Sequence, residues 1–317
     1  MKRAKRTQTE PLHVQLLREG ILESIHQAEA VVCDVKGRVL MSAGDPEMEA
    51  FIRSALKPFQ ALAAINTGTL DRFSLSDRDL AIMCASHQGN VEQSRQAFNI
   101  LWHCDVDPSA LQCPTPSGKR SPLEHNCSGK HAGMLAVCQQ QGWPFNDYVR
   151  KKHPVQQLIL TKVSELLHLP PAEMMMAQDD CGVPTVLLTL RQMATLYAQL
   201  ASGDQVDMER VVRAMTYHPT LVGGEGNFDT ELIRLSGGQV ISKAGAEGIQ
   251  CMALIGEGLG LAIKVRDGAR RAKYAAAIAL LQQLGWVSTT TLDSLSERFM
   301  SLDSIKRLDV LGELTLL

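Results

Sequence analysis

Ser54 and Lys57 stand three residues apart in the run Arg53-Ser54-Ala55-Leu56-Lys57-Pro58-Phe59-Gln60, and residues at that spacing on a helix share one face. A serine hydroxyl is a weak nucleophile until a base removes its proton, and a desolvated lysine held neutral can be that base. A helix start adds partial positive charge that favours a developing alkoxide. Alone, the tetrad recurs by chance in chains of this size, and a surface helix is the plainer reading. Its place after a hairpin and before an apolar helix points to chemistry.

A second group needs the fold to assemble it. Lys243 sits in a β-type run, Ile241-Ser242-Lys243-Ala244-Gly245-Ala246-Glu247-Gly248, where a glycine lets a ligand approach the strand backbone closely. An exposed strand lysine is the bland alternative. Ser86 closes an apolar run as Cys84-Ala85-Ser86-His87-Gln88-Gly89. Spacing alone does not separate a pocket-lining serine there from a capping one. A third group is two polar knots, Glu124 to Gly133 and Asp179 to Pro184, each ahead of a helical run. Thiolates from Cys127 and Cys181 make half of a tetrahedral zinc site, and His125, His131, Asp179 or Lys130 are available for the rest. A buried thiol pair is the alternative. Ser128-Gly129-Lys130-His131 lacks the full phosphate-loop pattern, so that reading falls.

These residues need elements to hold them. Residues 30–43 read as a β-hairpin turning at Val35 to Arg38, with Gly37 supplying a positive φ. Residues 54–66, 91–103, 154–168, 182–201 and 270–284 show helical periodicity, and Asp77 and Asp79 precede a further apolar run. Residues 239–244, 249–255 and 259–266 read as an antiparallel meander, with a helix and a strand-like tail after 286. Strands near both ends and helices between them predict an α+β chain. One antiparallel sheet is closed by N- and C-terminal strands around a helical insert. The chain then forms a single catalytic unit, with sheet-containing parts at about 20–53 and 225–317 and a helical part at about 54–224.

Composition excludes several classes. Of 317 residues 45% are hydrophobic, enough for a large core, and the formal net charge is −2. No basic stripe with interleaved aromatics appears, and aromatics are only 4%, so nucleic acid is a poor partner. The N-terminus is basic without an apolar stretch, which does not read as a secretory signal. No run has the ~18–20 apolar residues of a membrane span. Eight cysteines in such a chain read as reduced thiols of a cytoplasmic protein rather than a disulfide framework.

Taken together, RSALKPFQ at 53–60, CASHQG at 84–89, HNCSGKHAGM at 125–134, DDCGVPT at 179–185, HPTLVGG at 218–224, SKAGAEG at 242–248 and KVRDG at 264–268 resemble the rhizobial-type (thermolabile, class 3) L-asparaginases. The resemblance runs from the first hairpin to the helix near 280. It implies a β-lactamase/transpeptidase-like fold, as in the serine β-lactamases and serine-dependent glutaminases, and hydrolysis of L-asparagine to L-aspartate and ammonia. It implies two Ser–Lys pairs, Ser54 with Lys57 and Ser86 with Lys243. It implies Zn2+ on Cys127, Lys130 and Cys181, with Asp179 close behind them, and a homodimer. Arg53 beside the first serine is placed to bind the substrate carboxylate, and His87, Asn90, Gly245 and Glu247 complete the expected binding set. Asn90 stands where relatives of that type carry an acid.

Within this reading Ser54 is the favoured nucleophile and Ser86 a proton relay. The alternatives are a glutaminase or other amidase of the same fold, and a zinc- or amino-acid-binding sensor without catalysis. Asparagine and glutamine differ by one methylene, which a pocket separates by only ~1–3 kcal/mol.

Overall fold

The computed structural model describes residues 9–317. The basic segment discussed above lies, for its first eight residues, outside them. The chain opens with β1 (Leu12–Arg18), β2 (Ile21–Asp34), β3 (Val39–Ala43) and β4 (Glu49–Phe51), followed by a 3-10 turn at Arg53–Leu56 that runs into α1 (Lys57–Asn66). Next come α2 (Thr69–Arg72), α3 (Asp77–Met83), α4 (Val91–His103), α5 (Ser128–Gln141) and α6 (Pro154–Leu167). Then follow β5 (Met176–Gln178), β6 (Pro184–Thr189), α7 (Leu190–Leu200), α8 (Val206–Tyr217), α9 (Pro219–Gly223) and α10 (Phe228–Leu235). The last part holds β7 (Val240–Ala244), β8 (Ile249–Leu254), β9 (Leu259–Val265), α11 (Arg270–Leu284), α12 (Thr289–Phe299), β10 (Lys306–Leu311) and β11 (Thr315–Leu316).

The main sheet runs β10-β1-β2-β9-β8-β7, with β3 also paired to β2 and β11 paired to β3, and each pairing is antiparallel. Both ends of the chain therefore build one sheet, and the helical region from α1 to α9 is inserted between its halves. This is the expected α+β arrangement, one antiparallel sheet formed by N- and C-terminal strands around a helical insert. Among the described residues β7 ends the strand order, so Lys243 is carried on an edge strand.

The sheet's two faces are covered differently. One face, through Val31, Cys33, Ile241, Ile249, Cys251, Ala253 and Ala262, joins a large core with α1, α3, α5, α6, α7 and α8. The other, through Val14, Ala30, Val32, Met252, Leu261 and Ile263, packs on α11 and α12. Burial on both faces explains why β7 to β9 read as near-continuous apolar runs rather than alternating ones. Gly260 lets α7 lie close on β9, since a Cβ there would come within 2.0 Å of the Ala194 carbonyl.

Three expectations are corrected. Residues 182–201 are not one helix: residues 184–189 are strand β6, and the helix starts after Thr189. β-Branched Thr185, Val186 and Thr189 favour the strand. Thr189 then caps α7 through a reciprocal pair with Gln192. The helical part is also not purely helical, because β6 pairs with β4 and β5 in a second small sheet. The main sheet begins earlier than position 20, with β1 at Leu12. All eight cysteines are free and buried, and among the described residues no helix is long and apolar enough to cross a membrane.

Candidate active site

Ser86 is the meeting point. It follows α3, whose first turn is fixed by a capping box of Ser76 and Asp79, and its backbone N–H is held by the Val222 carbonyl at 2.9 Å. Its Oγ lies 3.0 Å from Lys57 Nζ and 2.9 Å from Lys243 Nζ. Lys57 opens α1, where Pro58 suits the first helical turn. It is 1% exposed, and its amine also faces the Ala85 carbonyl at 2.5 Å and the Asn126 carbonyl at 3.5 Å. Lys243 is fully buried and additionally bonds the Ala244 carbonyl at 3.0 Å. Asp229 Oδ2 lies 3.8 Å away.

The donor and acceptor count assigns the protons. An ammonium has three N–H donors, and Lys57 faces three oxygens. A serine hydroxyl has one proton and two lone pairs. If Lys57 donates to Ser86 Oγ, the Ser86 proton finds an acceptor only on a neutral Lys243 amine, which keeps an N–H for the Ala244 carbonyl. Burial, with Lys57 and Lys273 nearby, pushes the Lys243 pKa down to about 8 against the pull of Asp229. Asp229 is itself buried, yet Lys243, the Ala244 N–H, Gln250 and Ser242 hold its carboxyl below the usual range. The site thus holds one mobile proton between two amines, with a hydroxyl as the bridge.

Ser54 and Lys57 do come from one short segment, but the Lys57 amine points to Ser86. Among the described residues Ser54 Oγ makes no hydrogen bond, and it is partly exposed. Arg53, just before it, takes a left-handed backbone (φ +54) that costs a non-glycine residue energy. Its N–H is held by Thr185 Oγ1 at 3.1 Å. Its guanidinium is already forked onto Asp179 at 2.8 Å and Asp180 at 2.5 Å. A substrate carboxylate there would share or displace Asp180, whose side chain is exposed.

Asp179 links Arg53 to the thiol cluster. Lys130, 4% exposed on α5, donates to Cys181 Sγ at 2.9 Å. Cys181 donates to Cys127 and lowers the Cys127 thiol well below its usual value, helped against burial by Lys57 and Lys130. Two soft sulfur donors and one amine, buried together, match the chemistry zinc favours and leave one position for a further ligand. His131 is not part of this set: its Nδ1 is on the Tyr148 hydroxyl at 2.6 Å. His125 Nδ1 accepts the Cys127 N–H at 3.0 Å. Among the described residues no three His, Cys, Asp or Glu side chains are grouped as metal donors; the lysine makes this set unusual.

The remaining expected residues have internal partners. His87 is buried, accepts the Gly89 N–H on Nδ1 at 3.0 Å and meets Ser128 Oγ at 2.9 Å on Nε2. Burial, and then Lys57, push its pKa down to about 3, so it is neutral. It shapes the loop carrying Ser86. Asn90 caps α4 through Gln93 and is exposed. Gly245 is needed because a Cβ there would lie 2.7 Å from the Ile52 carbonyl. Its own carbonyl is held by buried Lys273 at 2.8 Å. Glu247 is exposed at the β7–β8 turn with φ +55.

Sequence reasoning missed Asp229, Lys273 and the Asn126 carbonyl. The available signal for Asp229 was weak, because an acid in the first turn of α10, beside Glu231, reads as ordinary helix-start chemistry. Nothing in the sequence marked Lys273, since a lysine in an alanine-rich helix reads as surface.

The family model for L-asparaginase II matches residues 14–316. A search of curated proteins found no match. Among solved structures, the native form of Mglu aligns with 17% identity and a TM-score of 0.49, over 81% of this chain and 64% of that one. The chain thus spans under two thirds of Mglu's length. A β-lactamase from Mycobacterium bovis aligns with 15% identity and a TM-score of 0.48, over 82% of this chain and 95% of that one.

Proposed function

We propose that this chain, which belongs to the L-asparaginase II family and as such is an amidohydrolase, hydrolyses the side-chain amide of L-asparagine to L-aspartate and ammonia. The observation that carries the reading is the single hydroxyl of Ser86 held between two buried amines, at 3.0 and 2.9 Å. Such an arrangement has one use in a hydrolase: to move a proton off a nucleophile and back to a leaving group.

The steps follow the hydrogen bonds. Lys57 gives a proton to Ser86 Oγ while Ser86 gives its own to Lys243. Lys57 is then a neutral amine three residues from Ser54. It takes the Ser54 proton as Ser54 Oγ attacks the amide carbon. The C–N bond breaks, ammonia leaves with the proton returned from Lys57, and water hydrolyses the Ser54 ester by the same path. Arg53 orients the substrate carboxylate. Cys127, Lys130 and Cys181 would hold zinc, which would steady the Asp179–Arg53 connection and supply one open coordination site.

A second assignment of the nucleophile has a specific observation behind it: Ser86, not Ser54, touches the amines. There Lys243 takes the Ser86 proton directly and Lys57 steadies the alkoxide. An electrophilic asparagine analogue followed by peptide mapping separates the two, with label expected on Ser54 under the first and on Ser86 under the second. Ammonia release from asparagine is expected to exceed that from glutamine. It is expected to fall by at least ~10³ in Ser54→Ala and Ser86→Ala with the fold retained. Full ammonia release by the double serine variant would end the proposal.

A further inference from the structure

Asp229 is buried to 2% exposure at the start of α10 and takes three hydrogen bonds from neutral groups. Ser242 Oγ and Gln250 Nε2 reach its Oδ1 at 2.8 and 2.9 Å, and the Ala244 N–H reaches its Oδ2 at 2.8 Å. Gln250 Nε2 also bonds Ser242 Oγ at 2.9 Å, so the donors are locked to one another. The carboxylate is thus fixed by strands β7 and β8, not by Lys243. The Lys243 amine lies 3.8 Å off, beyond hydrogen-bond range but within ion-pair range. A wholly buried carboxylate is costly to keep unless a charge answers it. The groups acting on Lys243 are Asp229 from α10, Lys57 from α1, Lys273 from α11 and Cys127 before α5. Cys84 and Cys251 face it as well. Of these, Asp229 is the carboxylate.

We propose that Asp229 is a positioning residue for the proton relay: a pre-set counter-charge that makes Lys243, rather than Lys57, the place where the mobile proton comes to rest. This deepens the amidase reading and rests on it for its catalytic meaning. The active form, populated as the pH rises toward 8, holds Lys243 neutral beside an ionised Asp229 that is satisfied by other donors. When the proton crosses Ser86, Lys243 becomes charged and the ion pair forms without any reorientation. Preset dipoles and charges of this kind cost no reorganisation at the moment of reaction. Among the described residues no carboxylate faces Lys57, and the Cys127 thiol acts on both amines, so Asp229 gives the relay its direction.

The test is Asp229→Asn, followed by the pH dependence of kcat for asparagine and, separately, of labelling by a fluorophosphonate that reacts with an activated serine. Loss of the carboxylate makes Lys243 give up its proton more readily. The alkaline-activating limb is therefore expected to move to lower pH by about one unit or more, with kcat falling at least ~10-fold and KM little changed. A merely structural loss would leave the midpoint in place. Gln250→Met keeps the carboxylate but removes a neutral donor, so Asp229 acts more strongly on Lys243 and the limb is expected to move to higher pH. That variant carries the test if Asp229→Asn does not fold. An unmoved midpoint in either folded variant overturns the inference. Asparagine turnover with unmoved midpoints refutes only this inference. Absence of turnover with a moved labelling midpoint refutes only the asparagine reading.

Discussion

The depressed pKa of Lys243 makes a quantitative demand on the pH profile. Burial brings this amine from 10.5 to about 8. At pH 7 roughly a tenth of it is then neutral, against roughly 0.03% for an unperturbed lysine, so the site gains about 300-fold in usable base. Activity that needs neutral Lys243 therefore climbs about tenfold per pH unit between 5.5 and 7.5, bends near 8 and levels above it. The assay is ammonia in quenched samples from pH 5.5 to 9.5. Measuring kcat at saturating asparagine keeps the substrate's own ammonium out of the profile. Lys243→Met is expected to lose the limb together with most of the rate. A flat profile across this range, or a bend near 10.5, would refute the claim that Lys243 receives the proton.

Further expectations concern the metal cluster and the packing that holds it. Purified protein is expected to carry about one zinc per chain by elemental analysis, and Cys181→Ser or Lys130→Met to lose most of it; metal-free protein as purified would reject the cluster as a zinc site. Tyr148→Phe strands His131 Nδ1 and removes the acceptor of the Gln112 N–H, which sits at 3.0 Å. A loss of about 1–3 kcal/mol in denaturant unfolding is expected, with no loss meaning that the pair is not needed. Gly129→Ala places a Cβ 2.1 Å from the Ile82 carbonyl, where α5 crosses the segment leading to Ser86. It is expected to cost at least about 1–3 kcal/mol and to lower the melting temperature visibly; an unchanged melting curve would show that the crossing relaxes freely.

What the sequence revealed followed local chemistry. Helical periodicity placed α4 at 91–103, and in the structure Asn90 and Gln93 cap its start reciprocally. The β7–β9 meander was legible because glycines punctuate three β-rich runs. Ser54, Lys57, Ser86 and Lys243 were found by type, and three of the four share one hydroxyl in space. The pairing was less legible: the Ser-x-x-Lys spacing suggested that Lys57 would face Ser54, whereas the amine reaches across to Ser86. That choice is made by the Ala85 and Asn126 carbonyls, which lie 28 and 69 residues further along. Periodicity also failed at 184–189, where apolar residues fit a helix as well as a buried strand. β1 was missed because its seven residues carry no turn signal beyond the short reversal at Glu19 and Gly20.

A sheet closed by both termini has a consequence for biosynthesis. Ser54, Lys57 and Ser86 emerge from the ribosome more than 150 residues before Lys243. The strands that support β1 and β2 arrive later still, from positions 259–265 and 306–311. Contacts so distant along the chain form slowly, and a nascent or prematurely ended polypeptide would display the serines with no second amine to set them working. Chemistry is therefore withheld until Lys243 and the strands that follow it have been made.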